Sequence, residues 1–362
     1  MYEYSYLCIR IFTNIHSPSI VTQCYSCLLE DIVMKRILTT LVVLSVFTVL
    51  LIAGGQSDKA AKADYTVGIS KLLAHPALDA AEQGMIDYLT SAGLSISFDK
   101  QNANGDISTA SSIAQKFKSD NVNVAVGIAT PSAQALAQVF GPNQSTAVVF
   151  SAVTDAEEAG LVAKNIAGVS DMNPVEEQIK LLMDITGAKR IGNIYASGEA
   201  NGVVLMEMAK AATEKFGGEF IPAAISNSSE VKMAAQSIID RVDAIYIATD
   251  NAVISAIASV DDVTTKAKKA LFSADPKAID GLNAIIAWGF DYYNIGIETG
   301  KVVEQILKGA DAGSIGTVYV TDPTKFELWF NLDTATQLGY TIPQSLQDAA
   351  AVLIKDGKHV SH

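Results

Sequence analysis

From residue 65 onward, short apolar runs alternate with segments in which apolar residues recur at helical spacing. In the segment 76–92, four of them fall on one helical face: Leu78, Ala81, Met85 and Leu89. The pattern predicts strands over 65–70, 94–100, 124–129 and 147–153, and helices over 76–92, 106–117 and 131–140. Short strands joined by helices of this length are typical of βαβ units with a parallel sheet.

The rhythm breaks at 165–174 and then repeats. The second half predicts strands over 190–196, 219–225, 242–248, 270–273 and 284–290, and helices over 174–185, 199–216, 229–239 and 251–266. We therefore predict an α/β protein of two Rossmann-like, doubly wound lobes with hinge crossovers, whose facing strand ends enclose a cleft. The predicted lobes span 64–172 and 173–290. Part of the tail at 291–362 returns to the first lobe, and its share in the second is left open.

Polar residues follow most of these strands, where the chain turns into the next helix. Right-handed crossovers place the carboxyl ends of parallel strands along one edge, so these side chains are expected to face the cleft. Thr130 illustrates the pattern, because it precedes Pro131 at a helix start whose free N–H groups suit an anionic group. The candidate ligand contacts are Ser70, Thr130, Ser132, Ser151, Ser197, Glu199, Asn201, Thr249, Asp250, Asn251 and Asp291.

Together these residues describe a site for a zwitterion. Hydroxyl and N–H donors near Thr130 and Ser151 would hold a carboxylate on one lobe, and Glu199 and Asp250 would hold an amine on the other. Each acidic residue also has a simpler interpretation as a helix cap or a first-turn acid. Taken one residue at a time, the two interpretations are equally open.

Four further residues join the candidates, each with a structural alternative. His75 lies in the loop between the first strand and the first helix, where it either reaches a ligand or caps the helix. Phe290 lies near Tyr292, and these rings either stack on a ligand side chain or pack in the core. Asp275 follows a strand, while Asp155 is typical of a solvated helix start rather than of a catalytic carboxylate pair.

The first 54 residues carry a pattern of their own. Met34 and two basic residues precede an apolar run at 37–52 and then small residues, which is the order of an export signal. The predicted segments are an upstream artefact at 1–33, a signal peptide at 34–54 and a linker at 55–63. A permanent membrane anchor is the alternative, although the run is short for a span of about 20 residues. Gly54 stands where a lipoprotein signal needs Cys.

Composition excludes several classes of function. A net charge of −13 without clustered Lys or Arg argues against a nucleic-acid partner. All three cysteines precede Met34, and the sequence has no phosphate loop, no Gly-x-Ser-x-Gly elbow and no clustered metal ligands. We therefore expect a protein that is not an enzyme and that binds no metal and no cofactor. The alternatives are an α/β enzyme with Asp250 or Glu199 as base, a two-lobed transcriptional regulator, or a sensory binding protein that reports to a receptor.

Several motifs, in their order and spacing, resemble the ABC transporter substrate-binding proteins of the tryptophan-binding type. They are GIS at 68–70, HPALD at 75–79, GIATPSAQ at 127–134, FSAVTD at 150–155, AGL at 159–161, SGEAN at 197–201 and TDN at 249–251. The resemblance implies a periplasmic binding protein fold of the first class, with three hinge strands. It also implies extracytoplasmic capture of a small ligand, aromatic amino acids being the best-known case, and delivery to a membrane permease driven by a separate ATPase.

Carried over by position, the resemblance implies a set of ligand contacts: Ser70, Thr130, Ser132, Ser151, Ser197, Glu199, Asn201, Asp250 and Asn251. Two features depart from the family pattern. The run Lys71-Leu72-Leu73 stands where a more polar or β-branched segment is expected, which leaves the ligand's identity open. The missing Cys at position 54 leaves lipid anchoring open.

Overall fold

The computed structural model describes residues 63–142 and 144–361. The predicted upstream segment at 1–33, the export signal at 34–54 and linker residues 55–62 lie outside this part of the chain. None of the helices in the described part is long and apolar enough to cross a membrane. The described residues form two α/β lobes, each built on its own sheet, which confirms the predicted fold class.

The sheet of the first lobe has six parallel strands. They are β1 (Tyr65–Lys71), β2 (Ile96–Asn102), β3 (Val124–Ile128), β4 (Ala147–Val153), β5 (Ile166–Ser170) and β11 (Thr317–Tyr319). Their order across the sheet is β11, β5, β4, β3, β1, β2. The three central strands β3, β4 and β5 are buried along their whole length. This burial on both faces requires the continuous apolar runs that the sequence shows.

The sheet of the second lobe has eight strands. They are β6 (Arg190–Ala196), β7 (Glu219–Ile225), β8 (Ala244–Ile247), β9 (Ala270–Ser273), β10 (Ile286–Phe290), β12 (Phe326–Asn331), β13 (Val352–Lys355) and β14 (Lys358–Ser361). Their order is β14, β13, β12, β10, β9, β8, β6, β7. Strands β6 to β10 pair in parallel, whereas β12 runs antiparallel to β10 and β14 antiparallel to β13.

Helices cover the sheets of both lobes. The first lobe carries α1 (Pro76–Ser91), α2 (Ile107–Ser119), α3 (Thr130–Phe140), α9 (Tyr292–Leu307) and α10 (Ala312–Ile315). The second carries α4 (Val175–Thr186), α5 (Ala200–Lys215), α6 (Val231–Ile238), α7 (Asn251–Ile254), α8 (Ile257–Ala267), α11 (Leu332–Leu338) and α12 (Gln344–Ala349). Short 3₁₀ turns lie at Ser228–Glu230, Ile239–Arg241, Lys277–Ile279 and Pro323–Lys325. The predicted helix at 251–266 is therefore two helices, α7 and α8.

The tail is divided between the lobes. Helix α9 packs closely on α1, where a Cβ atom added to Gly84 would lie 2.1 Å from the backbone oxygen of Tyr293. On the other side of the same contact, a Cβ atom added to Gly296 would lie 2.2 Å from the oxygen of Ala81. Strand β11 then pairs with β5 in the first lobe, and β12 joins the sheet of the second.

The chain passes between the two sheets at three places: between β5 and α4, between β10 and α9, and between β11 and β12. The first two crossings are joined by a hydrogen bond, since the hydroxyl of Tyr292 donates to Oδ2 of Asp171 at 2.7 Å. Thr154, which follows β4, donates to the other oxygen of Asp171 at 3.1 Å. These buried hydrogen bonds hold the first two crossings together where the lobes meet.

Strand β5 was not predicted, because its sequence combines glycine and small residues and was interpreted as a break at 165–174. Gly168 in this strand lies so close to β4 that an added Cβ atom would approach the backbone oxygen of Phe150 to 2.2 Å. The glycine is thus required by the close approach of two buried strands rather than by a turn. The hairpin of β13 and β14 near the end of the chain was likewise not predicted.

Candidate functional site

The carboxyl ends of the strands in the two lobes face each other and enclose a small space, here called the inner cavity. Its lining residues are His75, Ala77, Leu78, Ala152, Thr154, Asp171, Asn201, Thr249, Asp250, Asn251, Ile254, Asp275 and Tyr292. They come from both lobes and from two of the crossings between them. The volume is about 10 Å³, which is room for roughly one water molecule.

Three buried carboxyl groups dominate this lining, and all their hydrogen-bond donors are neutral. Asp250 accepts from the backbone N–H of Ala196 at 2.6 Å and from that of Val253 at 3.1 Å. Asp275 accepts from the N–H of Ala278 at 3.2 Å. Asp171 accepts from Tyr292 and Thr154, as described above. Backbone and hydroxyl donors orient these groups without neutralising them.

Burial changes the protonation of these acids. It raises the pKa of Asp250 to about 7, with a further contribution from the nearby Glu199. It raises the pKa of Asp275 to about 7 as well, and it also raises the pKa of Asp171. Because desolvation penalises the charged form of a carboxyl group, a cation placed among them would restore their ionised state. The inner cavity is therefore suited to a positively charged group.

Glu199 and Asn251 link two neighbouring strand ends of the second lobe. The side-chain amide of Asn251 donates to Oε2 of Glu199 at 2.5 Å, and the N–H of Ala252 donates to Oε1 at 3.2 Å. Burial raises the pKa of Glu199. Asn201 donates to the backbone oxygen of Thr249 at 3.1 Å, while its buried Oδ1 has no partner among the described residues. That oxygen is a free acceptor on the cavity wall.

Hydroxyl groups of the first lobe lie at adjacent strand ends. The buried hydroxyls of Ser70, Thr130 and Ser132 have no hydrogen-bond partner in the described part of the chain. Ser151 differs, because its hydroxyl shares a hydrogen bond of 2.7 Å with that of Thr299 on α9. An unpaired buried hydroxyl costs free energy, so the three free groups are sites where a polar partner would be favourable.

Two alanines beside these hydroxyls have left-handed backbones. Ala129 has φ 77° immediately before Thr130, and Ala152 has φ 57° immediately after Ser151. This conformation is uncommon for residues with a Cβ atom and costs of order 1–3 kcal/mol. Ala152 also interrupts the regular pairing of β4 with β5 and lines the inner cavity. Neither departure was predicted, since alanine carries no sequence signal for it.

His75 faces the acids from the first lobe, just before α1. Burial lowers its pKa to about 4, so the imidazole is neutral at pH 7. Neither ring nitrogen has a hydrogen bond of good geometry to the described residues, although the nearby side chain of Asn251 opposes the effect of burial on its pKa. Since it makes no side-chain cap to α1, the structure leaves it as a polar group directed at the cleft.

A larger space, here called the outer cavity, lies between the lobes beside the inner one. Its volume is about 460 Å³. The first lobe contributes Leu72, Leu73, Ala74, Asn104, Gly105, Ile107 and Pro131; the second contributes Ala196, Gly198, Glu199, Ser226, Asn227, Ser228, Ala252 and Ser255. Leu72 and Leu73, which depart from the family pattern, thus form part of this cleft wall.

Four of the predicted residues make other contacts. Ser197 is exposed and donates to the backbone oxygen of Ile225 at 3.2 Å. Asp291 caps α9 by accepting from the N–H of Tyr293 at 3.2 Å, and Asp155 accepts from two N–H groups of the following turn at 3.0 Å. The ring of Phe290 packs in the core, where its centroid lies 4.1 Å from the ring centroid of Phe326. The contacts of Asp155 and Phe290 match the structural alternatives that the sequence left open, whereas the sequence had indicated only a ligand contact for Ser197 and Asp291.

Comparison with known proteins identifies a matching family model and several similar proteins. The sequence model for the family described as ABC transporter substrate binding protein matches residues 66–354. A tyrosine-binding protein of Clostridioides difficile is 33% identical over 288 residues, covering 76% of this chain and 81% of that protein. A conserved domain protein from Vibrio cholerae O1 biovar El Tor is 37% identical with a TM-score of 0.76, covering 80% of this chain and 99% of its own.

Two further similar structures differ in whether a ligand is bound. An ABC domain from Streptococcus pneumoniae in complex with L-Trp is 29% identical, with a TM-score of 0.75 over 80% of this chain and 99% of its own. The ligand-free, open structure of a Clostridium difficile substrate binding protein with adhesive properties is 31% identical, but its TM-score is 0.58, over 77% and 96%. At similar identity, the present structure is more like the ligand-bound relative.

Proposed function

We propose a specific role for this chain, which belongs to the family of ABC transporter substrate binding proteins. In this role the protein captures an amino acid, aromatic or branched-chain, or a similar small zwitterion, in the cleft between its lobes. It acts outside the cytoplasm and delivers the ligand to a membrane permease driven by a separate ATPase. The relatives that bind tyrosine and L-Trp support an amino acid as the ligand.

The observation that carries the proposal is the set of buried acids with neutral partners. An ammonium group between Asp250 and Asp275 would gain charge-assisted hydrogen bonds from carboxylates that are otherwise destabilised by burial. The free acceptor of Asn201 adds a neutral partner for a third N–H. A primary ammonium group has three donors, so this wall offers an acceptor for each.

The carboxylate of the ligand is assigned to the first lobe. Free hydroxyls at Ser70, Thr130 and Ser132 provide donors there, and α3 begins at Thr130 with its positive dipole end at the same strand edge. Pro131, between two of these residues, lines the outer cavity, so the start of this helix lies against the cleft. In this proposal, donors of the first lobe oppose acceptors of the second, although the three hydroxyls line neither cavity in the present structure.

Ligand entry requires the lobes to separate. An inner cavity of about 10 Å³ does not hold an amino acid, and the lobes touch through α3 and α5. The likeness to the L-Trp complex supports a closed arrangement in the present structure. A ligand then stabilises closure only by the contacts that it makes with both lobes at once.

Calorimetric titration with tyrosine, tryptophan, phenylalanine, leucine and a nucleoside tests the proposal. We expect at least one amino acid to bind and the nucleoside not to bind. An Asp250→Asn variant should weaken that binding at least tenfold, whereas Asp291→Asn, which alters a comparable helix cap outside both cavities, should not. If the two variants bind equally well, Asp250 is a cap and not a ligand contact.

Glu199→Ala should likewise weaken amino-acid binding far more than it lowers the melting temperature, since the Glu199 side chain lies on the cleft wall. Unchanged affinity in this variant would remove Glu199 from the proposed site. The ligand should be recovered unaltered after incubation; its conversion to product would instead support an enzyme that uses Asp250 or Glu199 as a base.

Export is tested by sequencing the amino terminus of the protein secreted from a bacterial host. Cleavage near Gly54 would support the proposed signal at 34–54, and an intact amino terminus retained in the membrane would support an anchor instead.

A further inference from the structure

The start of α1 covers the inner cavity from the side of the first lobe. This part of the chain, here called the cover, supplies three of the lining residues: His75, Ala77 and Leu78. The same helix packs against the short turn Lys277–Ile279 of the second lobe, and a backbone N–H of that turn holds the carboxyl group of Asp275. Separation of the lobes moves the cover away from this turn and admits water to the acids of the second lobe.

The acids beneath the cover have no cation as a partner. In the described part of the chain, Asp250 and Asp275 accept hydrogen bonds from backbone N–H groups and form no ion pair. Lys277 favours the charged form of Asp275, but its ammonium group is paired with Glu327 at 3.0 Å. Burial of a charge without a counter-ion is costly, so a closed and empty cleft favours the uncharged acids.

The cover does not supply the missing positive charge. Burial lowers the pKa of His75 to about 4, so its ring is neutral above pH 5.5. Lys71, which lies near His75, is paired with Asp79 at 2.5 Å and with Glu82 at 2.6 Å. Closure therefore brings a neutral imidazole and apolar side chains against the acids.

The remaining titratable groups around the cavity oppose ionisation or do not change it. Glu199 raises the pKa of Asp250, and Asp171 raises that of Asp275. Tyr292 keeps its proton, since its pKa is raised well above the ordinary value. Negative charge on the two acids can thus be relieved in three ways: by protonation, by water after the lobes separate, or by a cation that enters the cavity.

We propose that the empty cleft is a proton-controlled gate, whose lobes close when Asp250 and Asp275 are protonated and open when both are ionised. The ammonium group of a ligand replaces the protons and closes the gate at neutral pH. The buried Oδ1 of Asn201, which has no partner among the described residues, is a further acceptor for that group. This regulation rests on the proposed function for the part that the ligand plays, whereas the opening of the empty protein requires no ligand.

The direction and size of the effect follow from proton uptake. In an open cleft the two carboxyl groups are hydrated and have an ordinary pKa of about 4, whereas in the closed cleft each has a pKa of about 7. Between these values the closed form binds more protons, so closure is favoured as the pH falls. From pH 5.5 to pH 7.5, the equilibrium constant for closing should fall about 25-fold for each acid and several hundredfold for the two together.

Small-angle X-ray scattering of the purified, ligand-free protein at pH 5.5, 6.5 and 7.5 tests the gate. We expect a compact form at pH 5.5 and a larger radius of gyration at pH 7.5. The double variant Asp250→Asn with Asp275→Asn should stay compact at all three pH values, and each single variant should respond less steeply than the parent. The matched control is Asp291→Asn, which alters a helix cap outside both cavities and should open as the parent does.

The gate is overturned if the parent has the same radius of gyration at all three pH values, if it opens on acidification, or if the double variant opens like the parent. Thermal melts show whether the variants are folded, and the parent with the two single variants decides the question if the double variant is not. Titration with tyrosine and tryptophan separates the two proposals. A protein that binds one of them but keeps its shape across the pH range loses only the gate, and one that opens with rising pH but binds no amino acid loses the proposed function.

Discussion

Lowering the pH should weaken ligand binding through the acids of the inner cavity. Asp250 and Asp275 each have a pKa of about 7 in the closed, ligand-free cleft, because burial disfavours their charged forms. An ammonium ligand binds their ionised forms, so its binding must release the protons that they carry. The perturbation is therefore a change of pH across this range at constant ionic strength.

The magnitude follows from the ionised fraction. For a carboxyl group with a pKa of about 7, this fraction falls about 25-fold between pH 7.5 and pH 5.5. We thus expect the association constant to fall about 25-fold if the ligand needs one ionised carboxylate, and by several hundredfold if it needs both. The amino group of a free amino acid remains protonated throughout, so the ligand does not contribute to the change.

Of the other titratable groups around the acids, two keep their protonation state between pH 5.5 and 7.5, and two act in the same direction as Asp250 and Asp275. His75 has a pKa of about 4 and stays neutral above pH 5.5, and the pKa of Tyr292 is raised well above its ordinary value. Asp171 and Glu199 have pKa values raised by burial, so they act in the same direction as Asp250 and Asp275. Lys277 favours the ionised form of Asp275.

Isothermal titration calorimetry at pH 7.5, 6.5 and 5.5 measures this dependence. Repeating each titration in two buffers with different ionisation enthalpies counts the protons released, which we expect to rise toward one or more as the pH falls to 5.5. Asp275→Asn should make the dependence shallower. Affinity that is constant or increases on acidification, with no buffer effect, would refute the role assigned to these carboxylates.

Two stability predictions follow from the same structure. Asp275→Asn should be more stable than the ligand-free parent at pH 8 by about 1–3 kcal/mol and equal to it at pH 4. The pKa of Asp275 is higher in the folded than in the unfolded protein, so the stability that the parent has below about pH 4 is lost as the pH rises through about 7. Thermal melts of both proteins at the two pH values would detect this difference. Gly84→Ala should lower unfolding free energy by roughly 2–4 kcal/mol, because its Cβ atom would lie 2.1 Å from the oxygen of Tyr293. Gly198→Ala, with nothing within 4 Å, is the control in a denaturant titration, and equal midpoints would contradict the tight contact of α1 with α9.

The alternation of apolar strands and amphipathic helices was enough to predict the two lobes, because each βαβ unit encodes its own local geometry. What it could not predict was contact between distant segments. Strand β5 was missed because Gly168 resembles a break until its closeness to Phe150 is known. Asp171 was missed with it, since a polar residue at a strand end is recognisable only when the strand is. The outer cavity depends on the spacing of the lobes, which no local pattern contains.

Phe290 shows the same limit from the other side. Its position beside a crossing was compatible with a ligand contact, and only the return of β12, antiparallel to β10, brings Phe326 against its ring. That pairing joins two strands between which the chain forms α9, α10 and β11 in the first lobe. The order of the tail elements therefore decides whether this aromatic residue reaches the cleft, and the local sequence carries no record of that order.

Asp250 was open to two interpretations, and the structure supports the structural one without removing the other. One oxygen accepts from the N–H of Val253 and caps α7, while the second accepts from the N–H of Ala196 on the neighbouring strand. A carboxylate held at both oxygens cannot rotate away, so its position on the cavity wall is fixed before a ligand arrives. Asn at this position removes the charge and keeps one acceptor, so it can retain the cap on Val253 while losing the hydrogen bond from Ala196; Ala removes both acceptors. The charge effect proposed for binding is therefore separable from the capping effect only in Asp250→Asn, and a loss of affinity confined to Asp250→Ala would assign the residue to the fold alone.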